Sequence, residues 1–300
     1  MASSTAPAVV RPTSSTSTGP RPGSAGTGTP QCGRGRATGE VVLTFSGGRQ
    51  ALLAVPGGDD GHHRLGLVIA LPGYGRTSKQ LVSQSRLPDR ARAAHVLVVV
   101  PEGAGSHRSW NFSGTTGYDD LAFLSALRTR LVVAECADAD RVVITGISDG
   151  GDMAAMAACK LSGRFRAVVT VAASTTPSRG CRPIRIIAVH GDADPLDPYR
   201  GGPDGRPGYR AIPAARVAIA AWAALDGCRQ AATRELGWNI EVSSYPCGAQ
   251  LVTIRGGGHT WPGGAPVDPA LGRTTMHYDA TSVILGLVSA GRLGRLGAPG

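Results

Sequence analysis

The chain has very little lysine. Of its 31 basic residues only Lys79 and Lys160 are lysines, and the arginines are scattered singly along the sequence. A formal net charge of +10 invites a phosphate-binding reading, since clustered cations release counterions on nucleic acid. Without a basic stripe or interleaved aromatics that reading loses its footing, and no nucleic-acid partner is expected. Also lacking is an apolar run long enough to span a bilayer, so no membrane partner is expected. The opening MASSTAPAVVRPTSSTSTGP offers only Ala8 to Val10 as an apolar stretch, whereas an export signal needs a core of roughly 7–15 residues. No Cys-x-x-Cys pair occurs, which argues against zinc or redox chemistry. Neither a metal nor a cofactor is implied.

What is present is enough for one large α/β domain. The 300 residues are 42% hydrophobic, sufficient for a substantial core without a second domain. Residues 1–30 are Ser, Thr, Pro, Gly and Ala with almost nothing to bury, and read as a disordered leader or linker before a single domain over 31–300. The 43 glycines gather at the ends of apolar runs, where they mark tight turns. The six cysteines, Cys32, Cys136, Cys159, Cys181, Cys228 and Cys247, are an even set. They point to disulfides in an oxidising, extracellular compartment, although this chain shows no export signal. Cys159 with Cys181 and Cys228 with Cys247 are the short spacings and the expected pairs, each closing a loop that stabilises the fold by about 3 kcal/mol.

From residue 41 the pattern becomes regular. VVLTF, Gly47-Gly48 and QALLAV read as a β-hairpin. Short apolar runs follow at 65–73, 95–103, 141–146, 165–173, 185–191 and 250–258, most of them ending in Gly or Pro. Near-continuous Val/Ile/Leu runs suit parallel strands covered on both faces. Helix-like stretches lie between and after them: DDLAFLSALRTRLVVAE, GGDMAAMAACKL, IPAARVAIAAWAAL and YDATSVILGLVSAG. The alternation predicts a three-layer α/β fold with a mostly parallel sheet.

Gly146-Ile147-Ser148-Asp149-Gly150 fits Gly-x-Ser-x-Gly. In so glycine-rich a chain the motif alone is weak, but a strand-like VVIT precedes it and a helix-like stretch follows, the strand–turn–helix of a nucleophile elbow. The flanking glycines keep side chains out of a strained turn, and the hydroxyl sits where a helix N-terminus favours negative charge. A serine so placed needs a base and the base an acid, which follow in the order Ser, acid, His in α/β-hydrolases. His259 lies directly after QLVTIRGGG. After RIIAVHG three carboxylates compete, Asp192, Asp194 and Asp197, with Asp194 preferred and Asp192 next. The oxyanion hole is expected at the backbone N–H of Asp149 and of Tyr74 in the Pro72–Gly75 loop. Trp261 and Trp110, near these segments, are expected as an aromatic platform for substrate. Asp119-Asp120 reads as a helix N-terminus.

Taken together, the elbow, His190-Gly191-Asp192-Ala193-Asp194-Pro195 and Gly258-His259-Thr260-Trp261-Pro262-Gly263 resemble the extracellular polyhydroxybutyrate depolymerase and feruloyl esterase families. These are secreted α/β-hydrolases acting on polymeric or aromatic esters, and the similarity runs over about residues 31 to 290. The resemblance implies Ser148 as nucleophile, Asp194 as acid and His259 as base. It matches both short cysteine pairs; Cys32 with Cys136 is expected without a motif behind it. One departure is Pro72, where the families usually carry His in the oxyanion loop, and no polymer-anchoring module is visible. The resulting expectation is a monomeric serine esterase with an ester substrate, either a polyester or an aromatic or acetyl ester of plant polysaccharide. The rival readings are a non-catalytic α/β-hydrolase-fold protein that binds wall polysaccharide and a cytosolic acyl hydrolase.

Overall fold

In the computed structural model, residues 38–57, 63–114, 116–204 and 211–289 are described, together with Met1. The leader expected over 1–30, its boundary, and Cys32 of the expected Cys32–Cys136 pair lie outside them.

One ten-stranded sheet organises the described residues. β1 (Gly39–Thr44) and β2 (Gln50–Val55) form the expected antiparallel hairpin across a glycine turn. β3 (Leu65–Leu71), β4 (Val96–Pro101), β5 (Ala137–Ile147), β6 (Ala167–Val171), β7 (Arg185–Gly191) and β10 (Ala249–Ile254) make the parallel centre. Each falls within or over one of the apolar runs. β8 (Ala232–Gly237) and β9 (Ile240–Ser244) extend the sheet antiparallel beyond β10. The strand order is β1-β2-β4-β3-β5-β6-β7-β10-β9-β8.

Continuous apolar strands supply both faces at once, because side chains alternate along a strand. Leu67, Ile69 and Leu71 of β3 face one buried cluster, with α3 (Asp120–Ala134), α4 (Asp149–Lys160) and α5 (Ala215–Ala224). Val68 and Ala70 face the other, with α1 (Ser78–Ser85), α2 (Leu87–Ala93) and α6 (Ala280–Ser289). Burying this apolar surface is the main drive for the three-layer packing.

Asp119 caps α3 by accepting the Ala122 N–H at 2.9 Å, while buried Asp120 pairs with Arg49 at 2.7 Å and accepts the Asn111 N–H at 2.7 Å. Both are structural. Disulfides join Cys159 to Cys181 and Cys228 to Cys247, with Cα separations of 4.8 and 6.2 Å. The first ties the end of α4 to the connection between β6 and β7. The second ties the turn after α5 to the turn before β10.

Candidate active site

Ser148 sits between the end of β5 and the start of α4, with φ 56° and ψ −131°. A left-handed φ is costly for a residue with a Cβ and persists only where its surroundings enforce it. Here they do. The Ser148 N–H donates to Val171 O at 2.9 Å, and its carbonyl accepts the N–H groups of Gly151 and Asp152 at 2.7 and 3.0 Å. A Cβ at Gly146 would collide with the Gly150 carbonyl, and one at Gly150 with the carbonyls of Leu71 and Pro72. Glycine at these two positions lets α4 start hard against β5 and the loop after β3.

The loops after β7 and β10 are laced together. Asp192 and Ala193 donate their N–H groups to the carbonyls of Ile254 and Gly257 at 3.1 and 3.0 Å, and the Asp192 carboxylate accepts the Gly256 N–H at 2.6 Å. Asp192 is exposed and spent on this contact. Asp194 is buried, and its carboxylate accepts the Nδ1–H of buried His259 at 2.8 and 3.0 Å. Its Oδ1 also accepts the N–H groups of Leu196 and Asp197, each at 2.8 Å. Of the three competing carboxylates, Asp194 is the one brought to the imidazole. With Nδ1 occupied, Nε2 of His259 is left for a second partner.

Ser148 and His259 line one cavity of about 420 Å³, along with Gly73, Tyr74 and Asp197. No hydrogen bond joins the hydroxyl to the imidazole among the described residues, a common state of such pairs without substrate. Asp149 opens α4, and its Oδ2 accepts the Trp110 backbone N–H at 2.8 Å. A Cβ on Gly73 would lie 3.4 Å from Ser148 Cβ, so the loop after β3 passes directly beside the serine. The Tyr74 ring projects outward and stacks on His107 at 6.0 Å.

The expected tryptophan platform is corrected. Trp110 and Trp261 are both 0% exposed, and neither lines the cavity. Trp110 Nε1–H donates to Pro72 O at 2.9 Å, which makes the indole a strut between the Pro72–Gly75 loop and Asp149. Trp261 Nε1–H donates to Thr281 Oγ1 at 3.0 Å, and that hydroxyl donates to Ser85 O at 2.7 Å. Indoles whose N–H groups are satisfied inward belong to the core. The apolar wall of the cavity comes instead from Ile147, Leu196, Ile212 and Leu271. Trp261→Phe should therefore lower unfolding stability by about 1–3 kcal/mol, through the orphaned Thr281 and lost packing, while KM for a small ester stays within a factor of about two. Urea unfolding and steady-state kinetics on one preparation check both; a selective rise in KM would restore the platform.

A second histidine went unassigned at the level of sequence. His190, near the end of β7, is 1% exposed; its Nε2–H donates to Asp197 O at 2.8 Å, and its Nδ1 lies 3.1 Å from Ser174 Oγ. The same Nε2 is 3.5 Å from Asp194 Oδ2 and 3.5 Å from Asp197 Oδ1, an oxygen with no hydrogen-bond partner among the described residues. Burial works against a charged His190, but contact with Asp194 and the charges of Asp197 and Asp194 outweigh it and raise its pKa. Burial also opposes ionisation of Asp194, yet contact with His190 and the hydrogen bond from His259 hold its carboxyl well below the usual carboxylate range. Asp197 goes the other way. Burial pushes it up to about 6, His190 opposes this, and the Asp194 charge adds to it. The signal that could have found the network is the His-Gly-Asp-x-Asp-x-x-Asp spacing at the end of a strand.

An acid with a raised folded pKa binds its proton more tightly in the native state. The stability linked to Asp197 is thus full below about pH 4 and is lost as pH rises through about 6. His190, also raised, loses its share at higher pH, whereas Asp194 loses its share only in stronger acid. Asp197→Asn should remove about 2–3 kcal/mol of the fall in stability between pH 4 and 7. Urea midpoints of both proteins across that range test this, and parallel curves would refute it.

The sheet order, the elbow and the carboxylate–imidazole pair at one rim define an α/β-hydrolase. The prolyl oligopeptidase family model matches residues 89–179, the stretch that carries Ser148. A putative esterase, NocK, of Nocardia uniformis subsp. tsuyamanensis is 29% identical over 77% of this chain and 76% of its own length. A probable feruloyl esterase C of Aspergillus niger is 27% identical over 59% of the chain and 66% of its own length. Among solved structures, an acetyl xylan esterase from Aspergillus awamori superposes with TM-score 0.57 at 17% identity, over 74% of this chain and 94% of that one. By fold and by these relatives the chain is similar to esterases of the α/β-hydrolase fold.

Proposed function

We propose that Ser148, His259 and Asp194 act together in an acyl-enzyme route of ester hydrolysis. His259 Nε2 takes the Ser148 proton as the oxygen attacks the ester carbonyl, and Asp194 holds Nδ1–H and steadies the imidazolium that forms. The N–H groups of Asp149 and Tyr74 receive the oxyanion. The imidazolium returns its proton to the leaving alcohol, and water then repeats the sequence to release the acid. The observation that carries this reading is Ser148 and His259 on one cavity wall, with Asp194 Oδ2 2.8 Å behind the imidazole.

The substrate class we favour is an aromatic or acetyl ester of a plant polysaccharide, or a polyester, in keeping with relatives named feruloyl esterase. The disulfides fit work in an oxidising, extracellular medium. We take the working unit to be a monomer.

A side-by-side assay on methyl ferulate, acetylated xylan and polyhydroxybutyrate tests the substrate class. A fluorophosphonate should label the 146–150 segment. Absence of both label and turnover would leave a non-catalytic fold.

A further inference from the structure

Beside the cavity that holds Ser148 lies a smaller one of about 170 Å³. The two share Gly73, Arg76, Gln84 and Ile147, so they are neighbouring lobes of one cleft. The far wall of the smaller lobe is Ala265, Pro266 and Val267, in the segment that follows His259.

The lobes differ in charge. Among the described residues, Asp152, Asp197, Asp204 and Asp268 border the larger lobe and no carboxylate borders the smaller, whose polar side chains are Arg76, Gln80, Ser83 and Gln84. The Arg76 backbone is fixed by a turn, its N–H donating to Gly73 O at 3.0 Å. Its guanidinium has no hydrogen-bond or ion-pair partner among the described residues, and neither has the Gln84 side-chain amide. Other arginines are committed: Arg49 to Asp120, Arg216 to Glu241, and Arg255 to Glu235 and Glu241. Gln80 Oε1 is used by the Thr77 N–H, which leaves its amide N–H groups as donors.

We infer that the smaller lobe is a subsite for a free carboxylate carried by the ester substrate, with Arg76 as its anchor; this rests on the ester-hydrolase reading above. A planar guanidinium flanked by amide donors matches a carboxylate in shape and charge. The acidic border of the larger lobe repels such a group, so the cleft sets an orientation: neutral part over the aspartates, anionic part against α1. The carboxylate has two sources, the acyl side, as in a dicarboxylic acid monoester, and the alcohol side, as at the free end of a hydroxyacid oligoester.

Two matched pairs separate these sources. On the acyl side, p-nitrophenyl hydrogen glutarate is compared with p-nitrophenyl pentanoate; on the alcohol side, 4-acetoxybutanoate with butyl acetate. In one pair the carboxylate ester should be preferred at least tenfold in kcat/KM at low salt. Arg76→Gln should bring that ratio towards one, and Arg76→Lys should retain part of it as a point charge. Hydrolysis of all four esters with no preference overturns the subsite and leaves the esterase reading intact. Turnover of none overturns the esterase reading, and the subsite is then judged by calorimetry. Glutarate binding at least tenfold weaker in Arg76→Gln than in the unmodified protein supports it, and equal binding overturns it.

Discussion

Ser148→Ala should lower kcat for a p-nitrophenyl ester by on the order of 10⁵, with little change in KM. The backbone N–H groups proposed to hold the oxyanion and the cavity walls remain, so binding persists and a small residual rate over water survives. The substitution removes an oxygen that makes no hydrogen bond among the described residues, and the backbone clamp from Val171, Gly151 and Asp152 is untouched. Unfolding stability should accordingly stay within about 0.5 kcal/mol. Steady-state kinetics on freshly separated protein, with the unfolding midpoint measured alongside, is the decisive comparison. A variant that retains more than about one part in a hundred of the rate removes Ser148 from the chemistry.

The second large effect is at Asp194. Asp194→Asn places an N–H where His259 needs an acceptor, or turns a carbonyl there at the expense of the Leu196 and Asp197 N–H groups. Loss of the required tautomer costs about 10⁴ in kcat. Because the buried carboxylate accepts from three donors, the N–H groups of Leu196 and Asp197 and the Nδ1–H of His259, about 1–3 kcal/mol of stability should go with it. Asp192→Asn is the control. Its carboxylate serves only Gly256 across the loop pair, so kcat should fall by no more than a few-fold. The two variants settle in solution the choice that the Asp192, Asp194 and Asp197 series left open. Equal losses would show that both carboxylates act through loop integrity alone.

Much of the architecture was legible because the parallel strands are nearly unbroken apolar runs, each feeding two clusters. What was missed lacks that signature. β8 is exposed along its whole length and carries Arg234 and Glu235, so nothing in its pattern separates it from a loop. It is a strand because β9 offers a free edge. α1 and α2 are short, and they meet at Arg86 in a left-handed conformation that composition does not announce. At the site, the positions of Ser148 and His259 after their strands were readable, whereas position alone did not separate Asp194 from Asp192 and Asp197. The tryptophans were misread because nearness in sequence to His259, or a place in the loop after β4, says nothing about which way an indole points. His190 was passed over because it reads as part of the β7 strand, and its neighbour Ser174 comes from a separate segment.

The Asp192–Gly256 tie and its flanking backbone bonds mean that Asp194 and His259 arrive as one prefabricated cassette, hung from β7 and β10. Much of the remaining cleft lining comes from elsewhere: the β3 loop, α1 and the stretch around residues 265–271. Evolution or a protein engineer can therefore refit the upholstery of the cleft without disturbing its reactive hardware. Libraries confined to Arg76, Gln80, Gln84 and Val267 should shift which ester is turned over while the chemical step itself carries on unaltered.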